Sequence, residues 1–488
     1  MTKHLRILLL IGIFLALGIG LGYIWSRPRL LEVSPANQAQ AVPAGAELRL
    51  TFSRRMQEES IQERLHLEPP VEGVFRWQKN TLIFTPSHAW PTGGKIQAEL
   101  EAGGKTDRFP VISLSEGRRW SFTIRQPRLA YLYPANGPAN IYVLNPPSGE
   151  SSPLTDSPGG VQDFAVSASG TYLYYSLRTS QGSAIYRLDL ENRAVKPSTP
   201  EASPGKTLST AEPSKPALLL ACPEALCRSL AVSPKEDYLA YERTALEGNN
   251  QELYPQVWYF PLSKQGEATT VAETPAPEGS QILAGQAQHQ TLQPDWSPDG
   301  LLTFYDSTSE AFIILNPANK DQVSFPNQTG ETGSWRPDGQ VFVAPEINFL
   351  ETGSGLQALA NSGLMQYNRL DGSALDLTPD DNMEDTAPAF SPDGRFLAFT
   401  RKYLDITRWT PGRQIWLLRL DDKEARPLTS DPFYNHFMLA WSPASDQLAY
   451  MRFNQSSPTE PPEIWLIDPL TSQALQLVVG GYDPQWIP

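Results

Sequence analysis

Three aspartates of this 488-residue chain stand in nearly the same setting. They are Asp299 in SPDG (297–300), Asp338 in RPDG (336–339) and Asp393 in SPDG (391–394). Carboxylates recurring this way could ring a cation. The same residues also make a turn: proline presets φ, aspartate hydrogen-bonds its own backbone, and glycine accepts positive φ. Related copies decide between the two. In FAVSASG, LAVSPKED and AWSPASD the aspartate is replaced by Ser169, Lys235 and Ala444. A turn tolerates that exchange and a ligand ring does not, so the three aspartates are expected to be turn residues.

The remaining reactive side chains assemble no catalytic pattern. His4, His66, His88, His289 and His436 are scattered and form no HExxH, so no zinc site is expected. The chain lacks a G-x-S-x-G nucleophile elbow and a GxxxxGK[ST] phosphate loop. No catalytic, cofactor-binding or metal-binding residue is assigned, no cofactor is expected, and the chain is expected to be non-enzymatic. The two cysteines, Cys222 and Cys227 in CPEALC, are a candidate small-loop disulfide if the chain is exported. Their spacing alone fixes no geometry.

Lys and Arg number 39 against 53 Asp and Glu, a formal charge of −14. Such a surface repels nucleic acid and anionic headgroups, which excludes both as general partners. Pro (45) and Gly (34) are abundant enough to demand many turns and to exclude a mainly helical chain.

Residues 7–25, ILLLIGIFLALGIGLGYIW, carry no charge. That is close to the ~20 apolar residues a helix needs to cross a ~30 Å hydrocarbon core. Lys3 and Arg6 precede it and favour a cytoplasmic N-terminus. Bulky Ile24 and Trp25 stand where a signal cleavage site needs small residues, so an uncleaved single-pass anchor is expected and a cleaved signal is the alternative. The anchor segment is set at 1–29, with everything after it outside the cytoplasm.

Residues 30–125 alternate short strand-like runs with turns. LRLTF (48–52), VFRW (74–77), TLIFTP (81–86), KIQAEL (95–100) and WSFTIR (120–125) imply a β-sandwich. Phe52, Trp77, Phe84 and Trp120 are read as its core. VSPANQAQAVPAGAELRLTFSRRM, LIFTPSHAWPTGGKIQAEL and WSFTIR resemble the bacterial Ig-like domain of surface proteins. Arg55 stands before Met56 where that family usually has proline. The resemblance implies a spacer or adhesion module.

From about 128 onward two signatures alternate. The first is the SPDG motif flanked by strands: 164–176, 230–242, 295–306, 334–345, 389–400 and 440–451. The second is an apolar strand ending in a turn, as in IYVLNP (141–146), FIILNP (312–317), IWLLRL (415–420) and IWLIDP (464–469). One unit is four antiparallel strands, which is a propeller blade. RLAYLY (128–133) lacks a preceding first strand, and YDPQWIP (482–488) looks like a first strand with nothing after it. Supplying one from the other closes a ring over 126–488 and hides both sheet edges. The count is seven blades, with six as the alternative. The Trp series (Trp296, Trp335, Trp441, Trp486) is read as blade packing. Residues 191–221, 243–255 and 274–292 are read as irregular loops. The repeated W-S-P-D-G-x-x-L-A-F and I-W-x-x-D patterns resemble the WD-related repeat of TolB-like propellers, also used by prolyl-oligopeptidase-like enzymes.

The fold class is therefore all-β, an Ig-like sandwich and a propeller behind one transmembrane helix. A membrane-anchored extracytoplasmic scaffold is expected, binding a protein or envelope polymer through an unassigned surface. A glycan-active enzyme with acids at the propeller channel, and a cleaved periplasmic TolB-like component, are the alternatives.

Overall fold

The computed structural model describes residues 27–87, 90–190, 215–247, 251–262, 280–281, 289–352, 355–380 and 382–488. The expected anchor at 7–25 lies outside the described residues. Among those that are described, no helix is long and apolar enough to cross a membrane. The chain divides into two compact units, with the boundary between Gln126 and Pro127.

The first unit is a β-sandwich. One sheet orders Leu30–Ser34, Leu48–Phe52, Thr81–Pro86 and Gly73–Gln78; the other orders Leu65–Glu68, Lys95–Leu100 and Arg118–Thr123. Period-2 alternation sends Leu48, Leu50 and Phe52 inward, where they meet Ile96, Ala98 and Leu100 of the facing sheet. Phe84 and Trp120 are buried with them, and half-buried Trp77 stacks on Phe52 at 6.0 Å. Trp90 locks the centre: its ring meets Phe122 edge-on at 5.6 Å and its Nε1–H donates to the Ala46 carbonyl at 2.7 Å.

The second unit is built from groups of four antiparallel strands. Group one is Arg128–Tyr133, Asn140–Asn145, Glu150–Pro153 and, from the other end of the chain, Tyr482–Ile487. Group two is Val161–Val166, Tyr172–Thr179, Gly182–Asp189 and Ala217–Pro223; group three is Ala225–Val232, Tyr238–Glu247, Gln251–Pro261 and Ser280–Gln281. Group four is Thr291–Trp296, Leu302–Asp306, Ala311–Leu315 and Gln322–Pro326. Group five is Ser334–Trp335, Val341–Thr352, Gly355–Asn368 and Ala374–Asp376; group six is Met383–Phe390, Phe396–Tyr403, Gln414–Arg419 and Ala425–Pro427. A single parallel pair, Ser362 with Glu384, joins groups five and six. Group seven is Tyr434–Trp441, Leu448–Asn454, Glu463–Ile467 and Ala474–Val479.

The hydrophobic clusters lie between groups and show the arrangement. Phe164 and Tyr175 of group two meet Ile141 and Val143 of group one; Tyr174 and Ile185 meet Leu239 and Phe260. Tyr259 meets Phe304, Phe312 meets Phe342, Val343 meets Phe399, and Leu417 meets Tyr450. The series returns on itself, because Leu466 of group seven packs on Leu129 and Trp486 of group one. Each sheet is buried on both faces by its neighbours, and the cyclic order is that of a β-propeller.

The SPDG residues behave as turns. Ser391 Oγ donates to Asp393 Oδ1 at 2.6 Å, the Arg395 amide donates to the same oxygen at 3.0 Å, and Gly394 takes φ 71°. Burial works against the Asp393 carboxylate, but the bonds from Ser391 and Arg395 hold it below the usual carboxylate range. The Trp series links neighbours. The indole N–H of Trp296 donates to the Ala231 carbonyl (3.0 Å), Trp335 to Thr303 Oγ1 (2.9 Å), Trp441 to the Ala389 carbonyl (2.9 Å) and Trp486 to the Ala440 carbonyl (2.9 Å). Each bond reaches into the preceding group.

Two loop expectations change. Of the stretch 191–221, read as an irregular loop, 191–214 lies outside the described residues, and its last residues belong to the outer strand Ala217–Pro223 of group two. Most of 243–255 is paired strand, because main-chain bonding continues through Leu246 opposite Glu252 whatever the side chains are.

Two outcomes test this packing. Trp441→Phe keeps a smaller aromatic ring but removes the indole N–H from the Ala389 carbonyl, and is expected to cost about 1–3 kcal/mol in urea unfolding. Deleting 482–488 removes Trp486 and Ile487 from their clusters and uncovers the Arg128–Tyr133 edge. It is expected to cost at least about 4 kcal/mol, read as a lowered and broadened thermal transition; an unchanged melt would show that closure is dispensable.

Candidate channel site and recognition face

First strands of neighbouring groups touch one another, which sets them around the axis of the ring. Most carry the same irregularity. Ser229, Gln293, Ala387 and Met438 each stand four residues before the turn serines Ser233, Ser297, Ser391 and Ser442, and each takes positive φ, between 51° and 55°. Asp483 does so at 54° in the closing strand. At each of these places the pairing register shifts. A bulge of this kind re-aims side chains and amides away from the ladder. A non-glycine residue there costs about 1–2 kcal/mol, which the surrounding packing must offset.

The freed groups bond across to a neighbouring group, to its first strand or, for Gln293, to Glu242 of its second. The Leu230 amide donates to Asp163 Oδ2 at 2.6 Å and the Gln293 amide to Glu242 Oε1 at 2.7 Å. The Phe390 amide donates to Ser334 Oγ at 3.1 Å, and Gln485 Nε2 to the Phe164 carbonyl at 2.9 Å. These contacts gather carboxylates on the axial side. Burial, then the charge of Asp483, pushes Asp163 up to about 7. Burial pushes Asp295 and Asp483 up to about 6, and raises Glu242 against the bond from Gln293. Asp295 itself is exposed, in the first strand of group four.

His436, in the first strand of group seven, is buried with Nδ1 donating to the Arg413 carbonyl at 2.7 Å. Burial holds it down to about 4, so it is neutral at ordinary pH. Next to it in the ring, Asp385 and Arg401 form a fully buried bidentate pair, both bonds 2.7 Å, with Arg401 stacked over Phe399 and Trp416. Among the described residues no group of three His, Cys, Asp or Glu side chains is placed to hold a metal ion.

Connections between second and third strands, and those between groups, leave from one end of the ring. That end carries exposed apolar side chains. Ile406 (96 % exposed) and Trp409 (54 %) project from the 404–413 loop, with Lys402 over the Trp409 ring at 5.0 Å. Phe433 (53 %) lies beside them, since Gln414 Nε2 donates to the Asp431 carbonyl at 2.6 Å and the Gly412 amide to Pro432 at 3.0 Å. Tyr254, exposed at the group-three hairpin, leaves from the same end. Cys222 and Cys227 are joined by a disulfide from the outer strand of group two to the inner strand of group three.

Asp299, Asp338 and Asp393 lie in the turns at the opposite end and are not brought together with the axial acids. Asp163, Glu242, Asp295 and Asp483 were not singled out from sequence. Their one signal is position: Asp163 and Asp483 fall three residues before the strand-end residue that is tryptophan in most copies, and Asp295 one residue before it.

An all-β chain joining a two-sheet sandwich to a ring of four-strand groups is an Ig-like module coupled to a β-propeller. Residues 26–124 are a bacterial Ig-like domain by their match to that family. Among solved structures, a puromycin hydrolase is 13% identical with a TM-score of 0.50, over 73% of this chain and 52% of its own. TolB from Acinetobacter baumannii is 13% identical with a TM-score of 0.39, over 74% of this chain and 66% of its own. A puromycin-hydrolyzing peptidase from Mycobacterium tuberculosis is 11% identical with a TM-score of 0.49, over 91% of this chain and 57% of its own. This chain thus spans little more than half of either peptidase. The puromycin hydrolase supports the fold alone. No curated protein matches the chain.

The axial acids make a signed pH prediction. A carboxyl whose pKa is raised on folding binds more protons in the native state, so stability falls as pH rises through that value. Stability is expected to decline from pH 5 to pH 8. His436, held down to about 4 from an ordinary 6.5, opposes the decline below about pH 6.5, because the unfolded chain still binds that proton there, so the fall is steepest above it. Asp163→Asn keeps the acceptor for Leu230 and should flatten the decline. Equal slopes for variant and parent in urea unfolding would remove Asp163 as its source.

Proposed function

We propose that this is a non-enzymatic, membrane-anchored extracytoplasmic recognition protein with a seven-bladed propeller. The anchor is the apolar segment 7–25, the Ig-like module is the spacer, and the propeller presents the binding surface to a protein or envelope polymer. One observation carries the reading: the exposed Ile406, Trp409 and Phe433 cluster on one end of the ring. Aromatic anchors on a rigid frame are what recognition faces use. The blade count rests on the cyclic order of the inter-group clusters.

The test is capture from envelope extracts by the full chain, followed by direct affinity measurement. Trp409→Ala is expected to weaken binding about 30-fold, the size of a hot-spot loss. Undiminished binding by an Ile406→Ser, Trp409→Ala, Phe433→Ser triple variant would move the site elsewhere. Absence of any partner above background would count against a recognition role.

The raised Asp163 favours one second reading, a glycan-active site in the channel, since a carboxyl held near neutrality can serve as a general acid. Hydrolysis of a glycan panel that disappears in Asp163→Asn would support it. The third, a cleaved periplasmic component, requires a mature N-terminus beyond residue 25, which N-terminal sequencing reads directly.

A further inference from the structure

The Ig-like module carries a cationic pocket of about 490 Å³ on an otherwise acidic protein. Arg54, Arg55, Lys79, Arg108 and Phe109 line it. Asp107 is the nearby acid, and it is taken by Arg55 at 3.3 Å. Arg54, Lys79 and Arg108 have no acidic partner among the described residues. Beside them Phe109 is 94 % exposed and Val111 60 %.

That exposure is built in. The Ile112 amide donates to Thr106 Oγ1 at 2.9 Å, and Thr106 Oγ1 donates to the Pro110 carbonyl at 3.2 Å. The Asp107 amide donates to the Arg55 carbonyl at 3.2 Å. The loop is therefore held closed at its base with Phe109 at its tip. An aromatic tip flanked by arginines is the chemistry of a bilayer interface, with the ring at headgroup depth and the cations on phosphates.

The path of the chain gives the location. The Arg29 amide donates to Ser53 Oγ, and the Ser53 amide donates to the Arg29 carbonyl, both at 2.9 Å. Ser53 directly precedes Arg54. From residue 25, the end of the apolar segment, to Arg29 is a reach of at most about 14 Å. A headgroup layer is itself roughly 5–8 Å deep. The pocket therefore adjoins the point where the chain would leave the membrane.

We propose that this pocket binds the phosphate headgroup of an anionic phospholipid beside the protein's own anchor, with Phe109 seated in the interface. The inference rests on the anchor reading above. It gives the −14 chain one attractive contact with a surface that otherwise repels it. Each uncompensated cation is expected to favour the bound state roughly fivefold.

The test uses the full chain in nanodiscs of phosphatidylcholine, with or without about a third phosphatidylglycerol. Amide hydrogen exchange of 105–112 is the readout. Exchange is expected to slow at least about fivefold in the phosphatidylglycerol discs, and to recover at high salt and in an Arg54→Glu, Arg108→Glu double variant. Phe109→Ser, which leaves the charges alone, is expected to lose part of the protection. Inorganic phosphate or soluble glycerol phosphate producing the same slowing would make the site a free-anion site and overturn the lipid assignment. No slowing in either disc would overturn it as well. Co-migration with the discs separates the two readings. A chain that co-migrates with both disc types but shows no loop protection keeps its anchor and loses this pocket. One that co-migrates only with the phosphatidylglycerol discs, and only while Arg54 and Arg108 are intact, loses the anchor and keeps the pocket. A chain that co-migrates with neither loses both.

Discussion

The propeller depends on the seam between one four-strand group and the next. A sheet buried on both faces has no solvent side to spend polar groups on, so each seam must be apolar and still satisfy its strays. The tryptophan at the end of a first strand does both. Its ring fills the seam, as Trp296 stacks on Tyr238 at 6.0 Å and Trp441 on Phe396 at 6.3 Å. Its N–H closes a main-chain or hydroxyl acceptor in the preceding group. In groups one, four, five and seven one side chain thereby fills the seam and satisfies its acceptor, while Val166, Val232 and Phe390 hold the same place in the other three.

The seams were legible because they repeat. Variants of one pattern, WSPDG at 296–300, WRPDG at 335–339, FSPDG at 390–394 and WSPAS at 441–445, stand at the same place in successive copies, and the closing strand was legible because YDPQWIP is a fragment of that pattern. The axial bulges were not. Left-handed backbone is cheap for glycine, and the residues adopting it here are serine, glutamine, alanine, methionine and aspartate. Nothing in those side chains announces it; the packing around the axis imposes it. The axial acids escaped for a related reason: Asp163 and Asp483 share a position that holds Ser229, Gln293, Thr332, Ala387 and Met438 in the other copies, and Asp295 stands two residues further on, so no periodicity marks them. The 243–255 stretch misled in the opposite direction. Its Gly, Asn and Pro suggested a loop, but a two-stranded ladder can continue wherever the main-chain groups find each other.

The two ends of the ring have different chemistry for a reason rooted in chain geometry. Turns from first to second strand are short, capped internally by serine and aspartate, and joined sideways, as where the Asp393 amide donates to Ser445 Oγ at 3.0 Å. They are consumed by structure. Connections at the other end vary in length and composition, and there Ile406, Trp409 and Phe433 face solvent. The axial carboxylates lie between these ends, held partly protonated by burial, so a cation arriving among them would have to displace protons.

The ring's last strand comes from the last residues of the chain. Group one pairs Leu129 with Trp486, neighbours in space separated by nearly the whole propeller in sequence. A chain emerging N-terminus first, from a ribosome or through a membrane, therefore carries an open arc until Tyr482–Ile487 appears. All that time the Arg128–Tyr133 edge and the apolar side of group seven have no cover. Completion is thus a single late event rather than a gradual one, and a product cut short near its end is not a slightly smaller propeller but an exposed sheet edge. The fold thereby checks that synthesis has passed Ile487.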